Sequence, residues 1–231
     1  MRFLSECGQF IRESRRHFHE IGSVLPSSRF LARALVSEMK KAPGPCRILE
    51  VGPGTGPVTA QIVRQLKPGD RADLVELNVE FIAHLQKRFE SEQAFSRCRD
   101  QVTLINSAVE KLAGESIYDY IISGLPLNNF SAQQVREIFR VFKRLLKPGG
   151  MLSYFEYLYV RQLKSPFVSR PERSRLARVG RVVGHYIRGC QVRRQRVFIN
   201  VPPAMARHLL LKPANGVIVV GDMQQQVVGH F

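Results

Sequence analysis

The run Ile48-Leu49-Glu50-Val51-Gly52-Pro53-Gly54-Thr55-Gly56 constrains this chain more than any other stretch of it. Apolar Arg47–Val51 predicts a short strand ending at glycine, and Val58–Leu66 predicts the helix that follows. Glycines at alternate positions let the backbone turn sharply and approach a ligand, while the helix start offers unpaired N–H groups. A strand, a glycine turn and a helix in that order fix an α/β unit with a ligand at the strand's carboxyl end.

The rest of the middle of the chain repeats the alternation. Ala72–Leu77 reads as a second strand, Val79–Phe89 as a helix with Ile82, Leu85 and Phe89 on one face, and Val102–Asn106 and Tyr118–Ser123 as further strands. Ser131 caps a helix carrying Val135, Ile138, Phe139, Phe142 and Leu146 at helical spacing, ended by Pro148-Gly149-Gly150; Met151–Tyr159 is an aromatic strand. Such alternation argues for an α/β fold with a parallel sheet covered on both faces. Ser27 and Ser28 cap a helix over Arg29–Lys40.

Two details separate the glycine turn from a dinucleotide site. Glu50 sits inside the motif, and the spacing is G-x-G-x-G rather than G-x-G-x-x-G. The pattern E-x-G-x-G-x-G resembles motif I of the class I methyltransferases, a Rossmann-like fold with a mostly parallel seven-stranded sheet. That resemblance implies S-adenosyl-L-methionine as cofactor, leaving S-adenosyl-L-homocysteine as product. It places Glu50, Gly52, Pro53, Gly54, Thr55 and Gly56 against the cofactor. Glu76 at the end of the next strand, with Leu77, would accept from ribose hydroxyls. Ser107 and Ala108 resemble the adenine-contacting segment, and Ser123 and Gly124 close the site. Ser107 stands where many members carry an acid.

The acceptor is narrowed by Ser123-Gly124-Leu125-Pro126-Leu127-Asn128-Asn129-Phe130. Adenine-N6 methylases place N-x-P-aromatic here to stack a flipped base. This chain has Gly124 for the asparagine and Leu127 for the aromatic, which argues against nucleic acid. That stretch, Gly22–Ala32, Tyr154-Phe155-Glu156-Tyr157 and Asn200-Val201-Pro202-Pro203-Ala204 together resemble the bacterial phospholipid N-methyltransferases and the related ornithine-lipid N-methyltransferases. The resemblance spans about residues 3–212 and implies methylation of a lipid's primary amine, phosphatidylethanolamine or ornithine lipid. In that family the P-S-S segment lies over the cofactor site, a lid position.

The formal net charge of +16, from 35 Lys+Arg against 19 Asp+Glu, suggests an anionic partner, membrane surface or nucleic acid. Residues 161–196 concentrate it, with ten arginines and Lys164 against Glu172 alone; within them Glu172–Tyr186 suits a helix and Gln191–Val201 an extended end-piece. A solvated basic face or an RNA-binding strip would show the same charge, though few aromatics accompany it. Residues 3–22 align Phe3, Cys7, Phe10, Ile11, Phe18 and Ile21 on one helical stripe, suited to a helix at a headgroup plane or to one packed on the domain. The domain division expected is therefore 1–24, 25–212 with a basic insert at about 161–196, and a tail over 213–231.

No apolar run approaches the ~18 residues of a membrane span, and charges throughout residues 1–24 argue against a signal peptide. Unpaired Cys7, Cys46, Cys98 and Cys190 read as thiols of a reducing compartment. The location expected is cytoplasmic, peripheral on the inner face of the cell membrane. The histidines have no ligand spacing, so no metal is expected.

A methyl acceptor must be a neutral amine, which calls for a proton acceptor or a desolvating pocket. Glu156 is the leading candidate, sharing a strand face with Tyr154, while Tyr157 and Tyr159 share the other. The tyrosines suit a cation–π wall for methylated amines. A structural pairing of Glu156 with an arginine is the competing expectation. Backbone at Leu125 and Pro126 would hold the amine, and Arg161, Arg170 or Arg207 a lipid phosphate or carboxylate. The alternative activity is adenine N-methylation of rRNA or another nucleic acid; a non-catalytic basic adaptor is a third reading.

Overall fold

The computed structural model describes residues 28–39, 44–158, 170–200 and 202–211. The amphipathic stretch at 1–24, the start of the basic segment with Arg161, Tyr159 and the tail from 213 lie outside those residues.

Strands β1 (Arg47–Val51), β2 (Arg71–Glu76), β3 (Val102–Asn106), β4 (Tyr118–Ser123), β5 (Leu146–Tyr157), β6 (Gln191–Val197) and β7 (Ala204–Leu210) form one sheet in the order β3-β2-β1-β4-β5-β7-β6. Strands β1 to β5 are parallel; β7 runs antiparallel to both β5 and β6. The mostly parallel seven-stranded α/β sheet expected from the sequence is thus the fold. Because β1 is flanked by β2 and β4, the chain reverses its direction of winding there. Its carboxyl end opens the crevice where such sheets bind ligands.

Period-two alternation sends successive side chains to opposite faces. Leu49, Val51, Ile121, Leu152, Tyr154 and Leu209 pack under α5 (Ala132–Leu145) and α6 (Arg170–Ile187). Ile48, Ala72, Ile122, Phe155, Ala204 and Ala206 pack under α1 (Arg29–Leu35) and α2 (Thr59–Ile62). Helix α3 (Val79–Ser91) and the short α4 (Gln93–Ser96) close a third cluster around Leu74, Phe89 and Phe95. Ser131 caps α5 in a full capping box with Gln134, and Ser28 caps α1 through Leu31 N–H.

Several boundaries differ from the sequence reading. The helix after the glycine turn is only Thr59–Ile62, because Gln65 N–H reaches back three residues to Ile62 and tightens the chain ahead of Pro68. Helix α5 stops at Leu145, and Leu146 already pairs with Tyr118, so Pro148-Gly149-Gly150 forms a bulged strand entry with Gly149 at φ 78°. From Arg170 the arginine-rich segment builds α6 and β6, integral parts of the sheet architecture.

Candidate active site

The turn after β1 is set by three left-handed glycines, Gly52 (φ 71°), Gly54 (φ 59°) and Gly56 (φ 85°). Gly52 N–H donates to Val75 O at 2.9 Å, and Gly124 N–H donates to Val51 O at 2.8 Å, so the turn is tied to both neighbouring strands. Gly124 packs so closely that a Cβ there would lie 2.6 Å from Gly52 O. An asparagine at 124, as adenine methylases require, does not fit this backbone. From outside, Arg88 on α3 clamps the turn, its Nη1 donating to Thr55 O at 2.8 Å and Gly56 O at 3.1 Å. Its guanidinium stacks 4.1 Å from the Phe95 ring and pairs with Glu92. No sequence pattern signalled Arg88, since its partners are carbonyls.

The two acids differ in use. Glu76, buried at the end of β2, accepts from Gly54 N–H at 3.1 Å and Asn78 N–H at 3.0 Å. Backbone donors thereby fix its carboxylate beside the glycine turn. Glu50 is also buried, on the face beneath α2, and accepts from the Thr59 hydroxyl at 2.8 Å. Burial, offset by the Thr59 bond and reinforced by the Glu76 charge, pushes its carboxyl up to about 8. Glu50 is therefore mostly protonated at neutral pH and stiffens the turn from below.

Asn106 donates to Glu76 O at 2.9 Å and Leu77 O at 3.1 Å, stitching β3 to β2. Ser107 N–H also bonds Glu76 O, and its hydroxyl donates to Ala108 O at 3.1 Å. The buried Ser123 hydroxyl accepts from Leu125 N–H at 3.3 Å, which shapes the loop after β4. Arg175 of α6 fixes the far end of that loop, donating to Asn128 O at 2.8 Å and Phe130 O at 2.6 Å while pairing with Glu172. One arginine of the basic segment is thus a brace for Leu125–Phe130.

Glu156 stands at the carboxyl end of β5. Tyr154 Oη donates to its Oε1 at 3.3 Å, and Arg207 Nε to its Oε2 at 3.1 Å. Arg207 also bonds Gln191, so two of its guanidinium nitrogens are engaged within the protein, one of them by the Glu156 carboxylate. The cause is register: Arg207 faces Tyr154 across β5 and β7, two residues along β5 from Glu156 and on the same face. Tyr154 is wholly buried, edge-on to Phe139 at 6.0 Å, so only its hydroxyl reaches the carboxylate and its ring builds no amine-facing wall. Burial holds that phenol well above its ordinary range. Tyr157 lies on the opposite face, edge-on to Phe155 at 5.1 Å, and is not brought to Glu156. Glu156 shares the α5/α6 face, whereas Glu50 and Glu76 lie on the other.

The two separated blocks of the sequence meet here. Asn200 Oδ1 accepts from Ser28 N–H at 3.0 Å, and its amide donates to Pro202 O at 2.7 Å. Arg193 pairs with the buried Glu38 at 2.8 Å, tying the turn after α1 to the β6 edge. Among the described residues no group of side chains could hold a metal, and no helix is long and apolar enough to cross a membrane. Cys46, Cys98 and Cys190 are free thiols.

A three-glycine turn, a buried carboxylate at the end of β2 and a close Gly52–Gly124 approach fit a nucleoside cofactor lying across β1 and β2. The chain belongs to the class I S-adenosylmethionine-dependent methyltransferases, and S-adenosylmethionine is its cofactor. The methyltransferase domain family matches residues 48–150. The chain is 30% identical over 141 residues to the ornithine lipid N-methyltransferase of Singulisphaera acidiphila, covering 61% of this chain and 72% of that protein. In fold it resembles the O-methyltransferase TomG of Streptomyces achromogenes, solved with the cofactor (TM-score 0.59, 15% identity, 90% of this chain and 89% of that chain covered). It resembles equally the 1,6-didemethyltoxoflavin-N1-methyltransferase of Burkholderia thailandensis, solved with S-adenosylhomocysteine (TM-score 0.59, 18% identity, 90% of each chain).

Proposed function

We propose that this methyltransferase acts on the primary amine of a membrane lipid, phosphatidylethanolamine or an ornithine lipid, at the cytoplasmic face of the cell membrane. The observation that carries the reading is the similarity to the ornithine lipid N-methyltransferase, extending over most of that protein's length. The net charge of +16 suits an anionic bilayer. The packing of Gly124 on Gly52 weighs against the adenine alternative.

The cofactor supplies an electrophilic methyl group, so the protein's work is to position and deprotonate the acceptor. Glu50, Gly52, Pro53, Gly54, Thr55, Gly56, Glu76, Leu77, Ser107, Ala108, Ser123 and Gly124 are the residues assigned to the cofactor. Glu76 would receive the ribose hydroxyls, and Glu50 would act through Thr59 and the turn. A primary ammonium with a lysine-like pKa of about 10.4 costs roughly 4–5 kcal/mol to deprotonate at pH 7. Glu156, oriented by Arg207 and Tyr154, is the group proposed to bind the ammonium and accept its proton. With that proton on Glu156, the nitrogen lone pair would be free to take the methyl group that the bound cofactor would supply. Carbonyls of the braced Leu125–Pro126 loop are proposed to hold the amine in line.

The test is direct. Purified protein, methyl-labelled cofactor and phosphatidylglycerol vesicles carrying phosphatidylethanolamine or ornithine lipid should give labelled lipid heavier by steps of one methyl. Cofactor binding without transfer to either lipid would refute the reading, and label in rRNA instead would favour the nucleic-acid alternative.

A further inference from the structure

The turn between β6 and β7 exposes two consecutive large apolar side chains, Phe198 at 59% and Ile199 at 70%. Exposed apolar residues scattered singly are ordinary, but an adjacent pair at a hairpin tip loses free energy in water that a contact would recover. Their exposure does not come from a loose loop. Asn200, the next residue, is buried and pinned by its bonds to Ser28 and Pro202, while Val197 just before is buried under α1. The tip is anchored through buried Val197 and Asn200, with its two apolar side chains exposed.

Where the tip points matters as much as its composition. Strand β6 is antiparallel to β7, which is antiparallel to β5, so β6 runs parallel to the central strands. Its carboxyl end therefore emerges on the same edge of the sheet as Gly52, Glu76 and Glu156. β6 is also the outermost strand, and it carries exposed Arg194 and Arg196 just before the tip. Ser28, at the start of α1, bonds Asn200, the residue that follows Ile199. The sequence before Ser28 carries the apolar residues of the 3–22 stretch.

We propose that Phe198 and Ile199 form a membrane-inserting tip which, flanked by Arg194 and Arg196, docks the catalytic edge of the sheet onto an anionic lipid bilayer. The apolar pair enters the headgroup–acyl boundary and the arginines meet lipid phosphates, the combination that defines interfacial binding. This inference rests on the membrane-lipid reading of the function.

The chain contains no tryptophan, so Phe198→Trp in the full-length protein is a unique fluorescent reporter at the tip. Vesicles of phosphatidylglycerol and phosphatidylcholine, free of any amine acceptor, should shift its emission to the blue. Lipids bearing a nitroxide high on the acyl chain should quench it. The double variant Phe198→Ser/Ile199→Ser should lose at least about tenfold in vesicle partitioning, with cofactor affinity by calorimetry unchanged. Unshifted emission while the protein co-sediments with vesicles would overturn the proposal. So would emission already blue without vesicles, turning red when residues 1–24 are removed (the tip covered by its own chain) or on dilution (a second copy). Tip insertion without any transfer to amine lipids would instead remove the substrate reading alone, so the two failures are distinguishable.

Discussion

Arg207 donates through Nε to Glu156 Oε2 across the β5–β7 pairing, at 3.1 Å, with the arginine side chain only 14% exposed. A guanidinium so enclosed costs stability when its carboxylate is removed, and a carboxylate so held cannot rotate freely to meet a substrate. Both carboxylate oxygens are oriented, one by Arg207 and the other by Tyr154. Such restraint suits a group that must present fixed geometry to an ammonium.

Glu156→Gln should therefore bind cofactor normally but lower kcat for methyl transfer on the order of 100-fold, as loss of a positioned base does. Tyr154→Phe keeps the ring against Phe139 and removes only the hydroxyl, so stability should change by less than about 1 kcal/mol while transfer falls. Steady-state kinetics paired with calorimetric titration of the cofactor checks both. A purely structural ion pair would lower the melting temperature of Glu156→Gln and leave kcat unchanged in the folded protein.

The glycine turn was legible because three glycines after an apolar run leave few other conformations, and its strand boundaries follow directly. Strand β7 was not placed from the sequence. Ala204-Met205-Ala206-Arg207-His208-Leu209-Leu210 has no β-branched residue, and its extended form is imposed by pairing with β5 on one side and β6 on the other. The role of Arg207 followed the same fate, since its neighbour is set by register and not by spacing along the chain. Arg88 and Arg175 were invisible for a related reason: both bond carbonyls, which every residue possesses. The Asn200 and Ser28 blocks were noted separately, but only the fold shows that they touch.

Glu50 makes stability depend on pH in a definite direction. Its carboxyl is raised from 4.5 to about 8 by burial, so the folded state holds a proton that the unfolded chain has released. The associated stabilisation is complete below pH 4.5 and is lost as pH rises through about 8. Full ionisation corresponds to roughly 5 kcal/mol. Melting temperatures of the cofactor-free protein should fall between about pH 5 and 8 and level off above that. Glu50→Gln, which keeps an acceptor for Thr59, should flatten that slope, and an unchanged slope would mean that Glu50 is already ionised.

Gly124 tests the geometry of the cofactor turn. Its φ is not left-handed, so any effect of Gly124→Ala comes from contact with Gly52 O and not from backbone strain. Displacing that carbonyl should cost about 1–3 kcal/mol of stability and weaken cofactor binding at least tenfold, an affinity loss of about 1.4 kcal/mol. Gly44→Ala, with nothing near its new Cβ, is the control and should leave affinity unaltered.

Asn200→Ala removes the acceptor of Ser28 N–H and the donor to Pro202 O. Two part-buried bonds at roughly 1 kcal/mol each predict a loss near 2 kcal/mol in denaturant unfolding. Hydrogen exchange should localise the change to the start of α1 and the β6–β7 turn, with the glycine turn protected as before.

Arg175 offers the sharpest separation of acceptor from cofactor. Its guanidinium holds Asn128 O and Phe130 O, and through them the loop that begins at Leu125, whereas the glycine turn is held by Val75, Glu76 and Arg88. Arg175→Ala frees those carbonyls and leaves Glu172 without this cation at the start of α6. The loop should then sample wider geometry, raising the acceptor KM and lowering kcat together, by about tenfold each, since misplacement by an ångström costs on the order of 100-fold overall. Cofactor affinity should stay within twofold, because the turn and its Arg88 clamp are unaltered. Arg175→Lys supplies one charge without the planar fork, so it can satisfy one carbonyl but not both and should recover only part of the loss. Equal losses in cofactor and acceptor binding would show that α6 supports the whole sheet edge, with no separate hold on the acceptor loop.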